Sequence, residues 1–260
     1  MVDWNPALYS RYERERTRPA RDLLAQVGLE NPLRVVDLGC GPGNSTELLV
    51  QRYPNAQVTG VDNSEAMLAS ARKRLPGATF ALGDIATWQP SEPVDLLYAN
   101  ASLQWVGEHE TLIPRLLSAL APGGVLAFQM PDNRAEPTHR LMREVASEAP
   151  YRSHFEDPSN MRTGILPLAQ YYDLLAPHIA TCDAWHTIYQ HPMASAAAIV
   201  EWVSGTGLQP FLKRLPEALQ PDYLAEYQRR IDAAYATRAD GQRLLAFPRL
   251  FVVAQRAHLS

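Results

Sequence analysis

The amino-acid sequence predicts an α/β protein, a doubly wound and mostly parallel sheet with a helical cap inserted in its C-terminal half. Three observations carry this expectation. Between Leu33 and about Phe128, short apolar or β-branched runs alternate with longer helical ones. A loop with Gly39, Gly41 and Gly43 at every second position joins the first such run to the first helix. Beyond Pro131 the alternation gives way to helical stretches with two late strand-like runs. Regular βα alternation implies parallel strands, right-handed crossovers and helices on both faces.

The elements follow in order. "RVVDLG" reads as a strand, and "NSTELLVQRY" as a helix opened by Asn44 or Ser45 and closed at Pro54-Asn55. "AQVTGVD" is the second strand, followed by the helix "SEAMLASARKRL", capped by Ser64 and ended by Pro76-Gly77. "ATFALGD" and "VDLLYAN" are the third and fourth strands. The helix "HETLIPRLLSAL" stops at the turn Ala121-Pro122-Gly123-Gly124, before the fifth strand "GVLAFQM". Further on, "PTHRLMREVASEA" and "LAQYYDLLAPH" read as helices and "TCDAWHTIYQHPM" alternates as a strand. "SAAAIVEWVSGTG" and "PDYLAEYQRRIDAAYA" are helical, and "RLLAFPRLFVVAQR" is the final strand. The expected organisation is a single domain. Residues 1–30 form an N-terminal helical lid and 31–131 the ligand-binding core. Residues 132–180 and 194–240 form the cap, and 181–193 and 241–256 the late strands.

Composition narrows the function classes. With 260 residues and 46% hydrophobic content the chain can bury a substantial core without staples. No segment approaches the roughly 20 apolar residues of a membrane helix, and the first residues hold no run of signal-peptide length. Cys40 and Cys182 are far apart and belong to no Cys/His cluster, which excludes a disulfide framework and a structural zinc. A net charge of −4 with scattered basic residues argues against nucleic acid as partner. All basic residues except Lys73 and Lys213 are arginine, whose forks suit carboxylates. The expectation is a cytoplasmic protein with a small-molecule ligand, no membrane contact and no obligatory protein partner.

The glycine loop selects among ligands. A dinucleotide site wants G-x-G-x-x-G, whereas Asn44 stands at the third glycine position and Pro42 removes an N–H. A Walker loop needs a lysine, and none is near. S-adenosylmethionine carries no phosphate and offers acceptor-seeking groups along its length. Asp62, ending the second strand, stands where a carboxylate accepts ribose hydroxyls. Asp84, after the third, stands where a side chain takes the adenine amino group while the Ile85 N–H meets a ring nitrogen. Asp37 lies close to the ammonium position. An aspartate after a strand is also a common helix cap. It is the set, each acid after its own strand, that points to this cofactor.

"DLGCGPGNST", "GVDNS", "GDIATW" and "LAPGG" resemble the Rossmann-like class I methyltransferases. The flanking stretches "DWNPALYSRYERERTRPA", "YANASLQW", "MPDNRAEPTHRLMREVA" and "GQRLLAFPRLFVVA" resemble, within that class, the trans-aconitate methyltransferase family. The resemblance implies methyl transfer from S-adenosylmethionine to one carboxylate, leaving S-adenosylhomocysteine. It places Gly39, Gly41, Gly43, Asp62 and Asp84 on the cofactor, with Asn100 and Ala101 under its methionine end. Asn63, Met67 and Arg16 complete the cofactor set. A carboxylate is already ionised at neutral pH, so no general base, triad or metal is expected. A tricarboxylate needs cations and neutral donors. The candidates are Arg18, Arg134 and Arg249, with Arg16 beside them, helped by Trp105, His139, Tyr171 and Tyr172. Tyr9 and Tyr12 are either a lid over the cofactor or a plain helix face. The rival readings are a methyltransferase for another small or carrier-bound acid, a non-catalytic S-adenosylmethionine-binding protein, and a dinucleotide oxidoreductase.

Overall fold

The computed structural model describes residues 13–161 and 164–258, in two compact units. The sheet-bearing unit comprises 13–131, 164–187 and 250–258. Its elements are α1 (Glu13–Ala25), β1 (Arg34–Leu38), α2 (Asn44–Arg52), β2 (Gln57–Asp62), α3 (Glu65–Arg74), β3 (Thr79–Leu82) and β4 (Val94–Asn100). A 3₁₀ turn Leu103–Trp105, α4 (His109–Ser118) and β5 (Leu120–Pro131) follow. The sheet order is β3-β2-β1-β4-β5, extended by the last and the second-last strands of the chain, and the five named strands run parallel. In β1, Val35, Val36, Asp37 and Leu38 are all buried, as central parallel strands covered on both faces require. β3, at the edge, is the most exposed of the five.

Strand order reverses between β1 and β4. In an open α/β sheet the ligand crevice lies at the carboxyl ends of such a pair. That rule singles out the loops after Leu38 and after Asn100.

Two elements depart from the sequence reading. The N-cap of α2 is Gly43, without a side-chain cap, because the Ser45 and Thr46 hydroxyls donate instead to the buried Asp37. The segment Ala121–Gly124 is not a turn before a strand but lies inside β5. A side chain on Gly124 would stand 2.9 Å from the Ala121 carbonyl and 3.1 Å from that of Asp95, so the glycine lets the backbones approach.

The second unit comprises 132–161 and 188–249 and is mainly helical. It holds α5 (Pro137–Ala146) and, after α6 (Leu168–Leu175) and β6 (Ile179–Met193), α7 (Ala196–Ser204), α8 (Gln209–Leu212) and α9 (Gln220–Ala234). β7 (Arg243–Arg256) ends the chain's regular structure. α6 itself, read from sequence as part of a cap over 132–180, packs on α4 in the sheet-bearing unit. Its Tyr171 and Leu175 are fully buried with Leu112, Ile113 and Leu116. The helical unit closes on its own core: the Tyr223 and Tyr227 hydroxyls on α9 donate to the Met142 and Thr138 carbonyls of α5. Among the described residues no helix is long and apolar enough to cross a membrane.

Candidate active site

The loop after β1 is shaped by its glycines, though not all for one purpose. Gly39, Gly41 and Gly43 have φ of 73°, 55° and 90°, the left-handed region that favours glycine. A Cβ on Gly39 would fall 2.3 Å from the Ser102 Cβ, and one on Gly43 3.3 Å from the Ala71 Cβ. A Cβ on Gly41 would meet no atom within 4 Å among the described residues beyond its chain neighbours. Packing therefore excludes a side chain at Gly39 and crowds one at Gly43, whereas a side chain at Gly41 would point into open space.

Asp37 is fully buried beneath this loop. Its Oδ2 accepts from the Ser45 and Thr46 hydroxyls, each at 2.7 Å, while Oδ1 has no hydrogen-bond partner among the described residues. Burial pushes its carboxyl up to about 6, against the lowering pull of the two hydroxyls and with a smaller upward push from Asp62. A buried carboxylate oxygen without a partner is costly.

Asp62 accepts from the Gly41 N–H and the Ser64 N–H, one on each oxygen at 2.9 Å. It thus ties the glycine loop to the head of α3, a structural duty beside any on a ligand. Asn63 is exposed and Met67 half-buried on the same turn. Asp84 is exposed, and its Oδ1 caps the Ala86 N–H at 2.9 Å. The turn behind it is clasped by Arg115 of α4, whose guanidinium donates to the carbonyls of Ile85 (2.7 Å), Ala86 (3.0 Å) and Trp88. Sequence reasoning missed Arg115, since "IPRLL" shows only a helical arginine.

The loop after β4 carries a backbone outlier. Ala101 has φ 52° without being glycine, a conformation that survives only where its surroundings impose it. Here the Ala101 N–H donates to the Gln129 carbonyl, and the Gln104 amide donates to the Ala101 carbonyl. Gln129 also donates to Asn100 at 2.5 Å, and the Ser102 hydroxyl to the Leu38 carbonyl at 2.6 Å. Gln129 and Ser102 were likewise missed. The signal for Gln129 was a lone amide in the apolar strand "GVLAFQM".

A glycine loop and a strained loop thus flank the topological switch point. The methyltransferase-domain family matches residues 35–124. The trans-aconitate 2-methyltransferase of Variovorax paradoxus is 69% identical over 257 residues, 98% of this chain and 99% of the relative. The chain belongs to the trans-aconitate 2-methyltransferase family. Its counterpart of that name from Paracidovorax citrulli is 68% identical over 259 residues, 99% of this chain and 100% of the relative. A likeness of fold alone links the chain to the YcgJ protein of Bacillus subtilis, at TM-score 0.60 and 12% identity, over 93% of this chain and 99% of that one.

The residues that family resemblance offered for the acid fall into both units. In the sheet-bearing unit Arg18 is exposed and 3.8 Å from Asp22, Trp105 is 48% exposed and Tyr172 is 51% exposed. Tyr171 is fully buried and bonded to His109, which removes it from the acid-binding candidates. In the helical unit Arg249 is buried, its guanidinium 5.1 Å from the centre of the Phe247 ring. His139, buried rather than on a surface, lies 3.0 Å from the Thr138 hydroxyl. The exposed Arg134 donates to the Ser159 carbonyl at 2.5 Å. Tyr9, Tyr12 and the side chain of Arg16 lie outside the described residues. Among the described residues no three His, Cys, Asp or Glu side chains are grouped as metal ligands.

Proposed function

We propose that this protein transfers a methyl group from S-adenosylmethionine to a carboxylate of trans-aconitate, giving the monomethyl ester and S-adenosylhomocysteine. The observations that carry the reading are the empty space on the Cβ side of Gly41 and, at the end of the same strand, the orphaned Oδ1 of Asp37. Such a cradle suits a ligand that comes close to the backbone and brings a cationic donor. A pyrophosphate would meet two carboxylates there, Asp37 and Asp62, so charge disfavours a dinucleotide. The ammonium of S-adenosylmethionine meets the requirement, and the full-length similarity to trans-aconitate 2-methyltransferases supports the acid.

Bound there, S-adenosylmethionine supplies an electrophilic methyl group on a sulfonium. We assign Asp37 to the ammonium, and Asp62 to the ribose hydroxyls through the lone pairs its two N–H partners leave. Asp84 and the Ile85 N–H are assigned to the adenine. Gly39, Gly41, Gly43, Asn63, Met67, Asn100, Ala101 and Arg16 line the same ligand. Arg18 and Arg249 are assigned to the non-reacting carboxylates, with Trp105 and Tyr172 as weaker donors near the reacting one and His139 and Arg134 in support. An arginine on the reacting carboxylate would lower its nucleophilicity. The acid is ionised at neutral pH, so the chain's task is alignment and exclusion of water. We assign the protein to the cytoplasm, in keeping with two free cysteines.

Purified protein incubated with S-adenosylmethionine and trans-aconitate should form the monomethyl ester and S-adenosylhomocysteine in equal amounts. Cofactor binding without turnover of trans-aconitate would overturn the substrate assignment. Binding of NAD but not S-adenosylhomocysteine would overturn the cofactor.

A further inference from the structure

Two buried side chains outside these loops, His109 and Tyr171, form a hydrogen-bonded chain that ends at both sides on backbone groups. His109, the first residue of α4, is 2% exposed, and Tyr171 on α6 is 0%. His109 Nε2 lies 2.9 Å from the Leu103 carbonyl, and Nδ1 lies 2.5 Å from the Tyr171 hydroxyl. The Leu166 N–H reaches the same hydroxyl at 3.1 Å.

The chemistry of the end groups fixes the roles. A carbonyl only accepts, so Nε2 carries the proton. Nδ1 then presents its lone pair, and the Tyr171 hydroxyl donates to it. The phenolic oxygen accepts from Leu166 in turn. The donors and acceptors named here are complementary, and the imidazole is held in one orientation. Packing alone does not ask for this hydroxyl, since a phenyl ring at 171 would keep the edge contact with Phe128, now at 5.4 Å between centroids.

What the chain grips is the Leu103–Trp105 turn. Ala101 and Ser102 are anchored by Gln129 and Leu38, the Gln104 amide ties back to Ala101, and His109 adds an anchor from α4 to the Leu103 carbonyl, which also accepts from the Val106 N–H. We propose that His109 and Tyr171 are positioning residues for the methyl transfer, fixing the Leu103–Trp105 turn so that the Trp105 indole is held steady at the end of β4. The inference rests on the site reading above. It adds to that reading a buried pair that touches neither substrate nor cofactor.

The test uses Tyr171→Phe, His109→Leu and His109→Gln, with Tyr223→Phe as a control that loses an equally buried hydroxyl bond, to Met142 at 2.9 Å. Hydrogen exchange of peptides covering 101–106 should quicken at least about tenfold in His109→Leu and Tyr171→Phe, with 13–25 unchanged. The kcat for trans-aconitate should fall at least about fivefold in both, while the KM and the affinity for S-adenosylhomocysteine stay within about twofold. His109→Gln keeps an N–H donor near the Nε2 position and should restore most of kcat. Tyr223→Phe should lose stability without loss of kcat. Unchanged exchange over 101–106 overturns the proposal, as does a kcat loss that Tyr223→Phe matches. If the wild-type protein does not turn over trans-aconitate, the functional reading falls, and the exchange measurement by itself decides whether the pair anchors the turn.

Discussion

The two units use polar side chains differently. In the sheet-bearing unit they hold loop backbone: Asp62 bridges the Gly41 and Ser64 amides, Ser102 reaches the Leu38 carbonyl, and Arg115 clasps the turn after Asp84. In the helical unit they hold helices together. Tyr223 and Tyr227 of α9 bond to α5, and Arg230 joins Glu226 on its own helix to Glu148 just beyond α5. The first arrangement fixes strand-end loops in conformations a chain would not choose alone. The second fixes the spacing of regular elements. A ligand that needs close backbone approach is served by the former.

The largest expected effect separates the two kinds of glycine in that loop. Gly39→Ala must either push Ser102 aside or distort a left-handed backbone, and should cost about 3 kcal/mol or more of stability. Gly41→Ala meets no atom within 4 Å and carries only the left-handed penalty, about 1 kcal/mol. Its loss should appear as weaker binding of S-adenosylhomocysteine. Melting curves and calorimetric titration of both variants check this. Equal destabilisation would erase the distinction between a glycine required by packing and one required by a ligand.

Asp37 adds a pH dependence that its surroundings dictate. Burial raises its carboxyl from the ordinary 3.8 to about 6, so the folded protein holds this proton over a range where the unfolded chain has released it. The stabilisation is therefore complete below about pH 4 and is lost as pH rises through about 6, a change of about 3 kcal/mol at most. Asp37→Asn abolishes the charge and should melt higher at pH 7.5, with the gain vanishing towards pH 4. The same change should weaken S-adenosylhomocysteine binding at least about tenfold. A variant less stable than wild type at pH 7.5 would refute the account.

Asp62→Ala comes next, with an expected affinity loss of about 2 to 3 kcal/mol for S-adenosylhomocysteine, from the ribose contacts and from release of the Gly41 amide. Asp62→Asn separates the causes, because its carbonyl oxygen can keep one of the two amides. An Asn variant that binds as weakly as Ala would point to the ribose, and one that binds much better would point to the loop.

The sheet-bearing unit was legible because its determinants are local. Val35 to Leu38, Gly39 to Gly43 and Ser64 show their roles through apolar runs, glycine spacing and a cap, all within a few residues. The partner of a local feature was not legible: Ser102 lies 64 residues from Leu38, and nothing in "NASLQ" says which carbonyl it meets. α6, expected from sequence in the cap, clusters with the sheet-bearing unit for the same reason. Its pattern shows an apolar face but not the core that accepts it. In the helical unit the amphipathic stretches gave the helices, while the Tyr227–Thr138 bond spans 89 residues and leaves no trace in spacing.

The smallest effect bears on the two arginines assigned to the acid, which differ in burial. Arg18 is 70% exposed and 3.8 Å from Asp22, so water and salt screen whatever it offers a carboxylate. Arg249 is 8% exposed against Phe247, where charge acts through a poorer dielectric. Arg249→Met should raise the KM for trans-aconitate at least about tenfold, roughly 1.4 kcal/mol. Arg18→Met should raise it less than about threefold, and moderate salt should reproduce that smaller loss in the wild-type protein. Neither change should lower kcat much, because an arginine gripping the reacting carboxylate would have weakened its attack on the methyl group. Both variants are measured against trans-aconitate and a monocarboxylate analogue. A buried arginine that recognises a second carboxylate loses selectivity for the tricarboxylate when it is replaced, whereas one that only packs on Phe247 leaves selectivity unchanged, and that outcome would return Arg249 to the core of its unit.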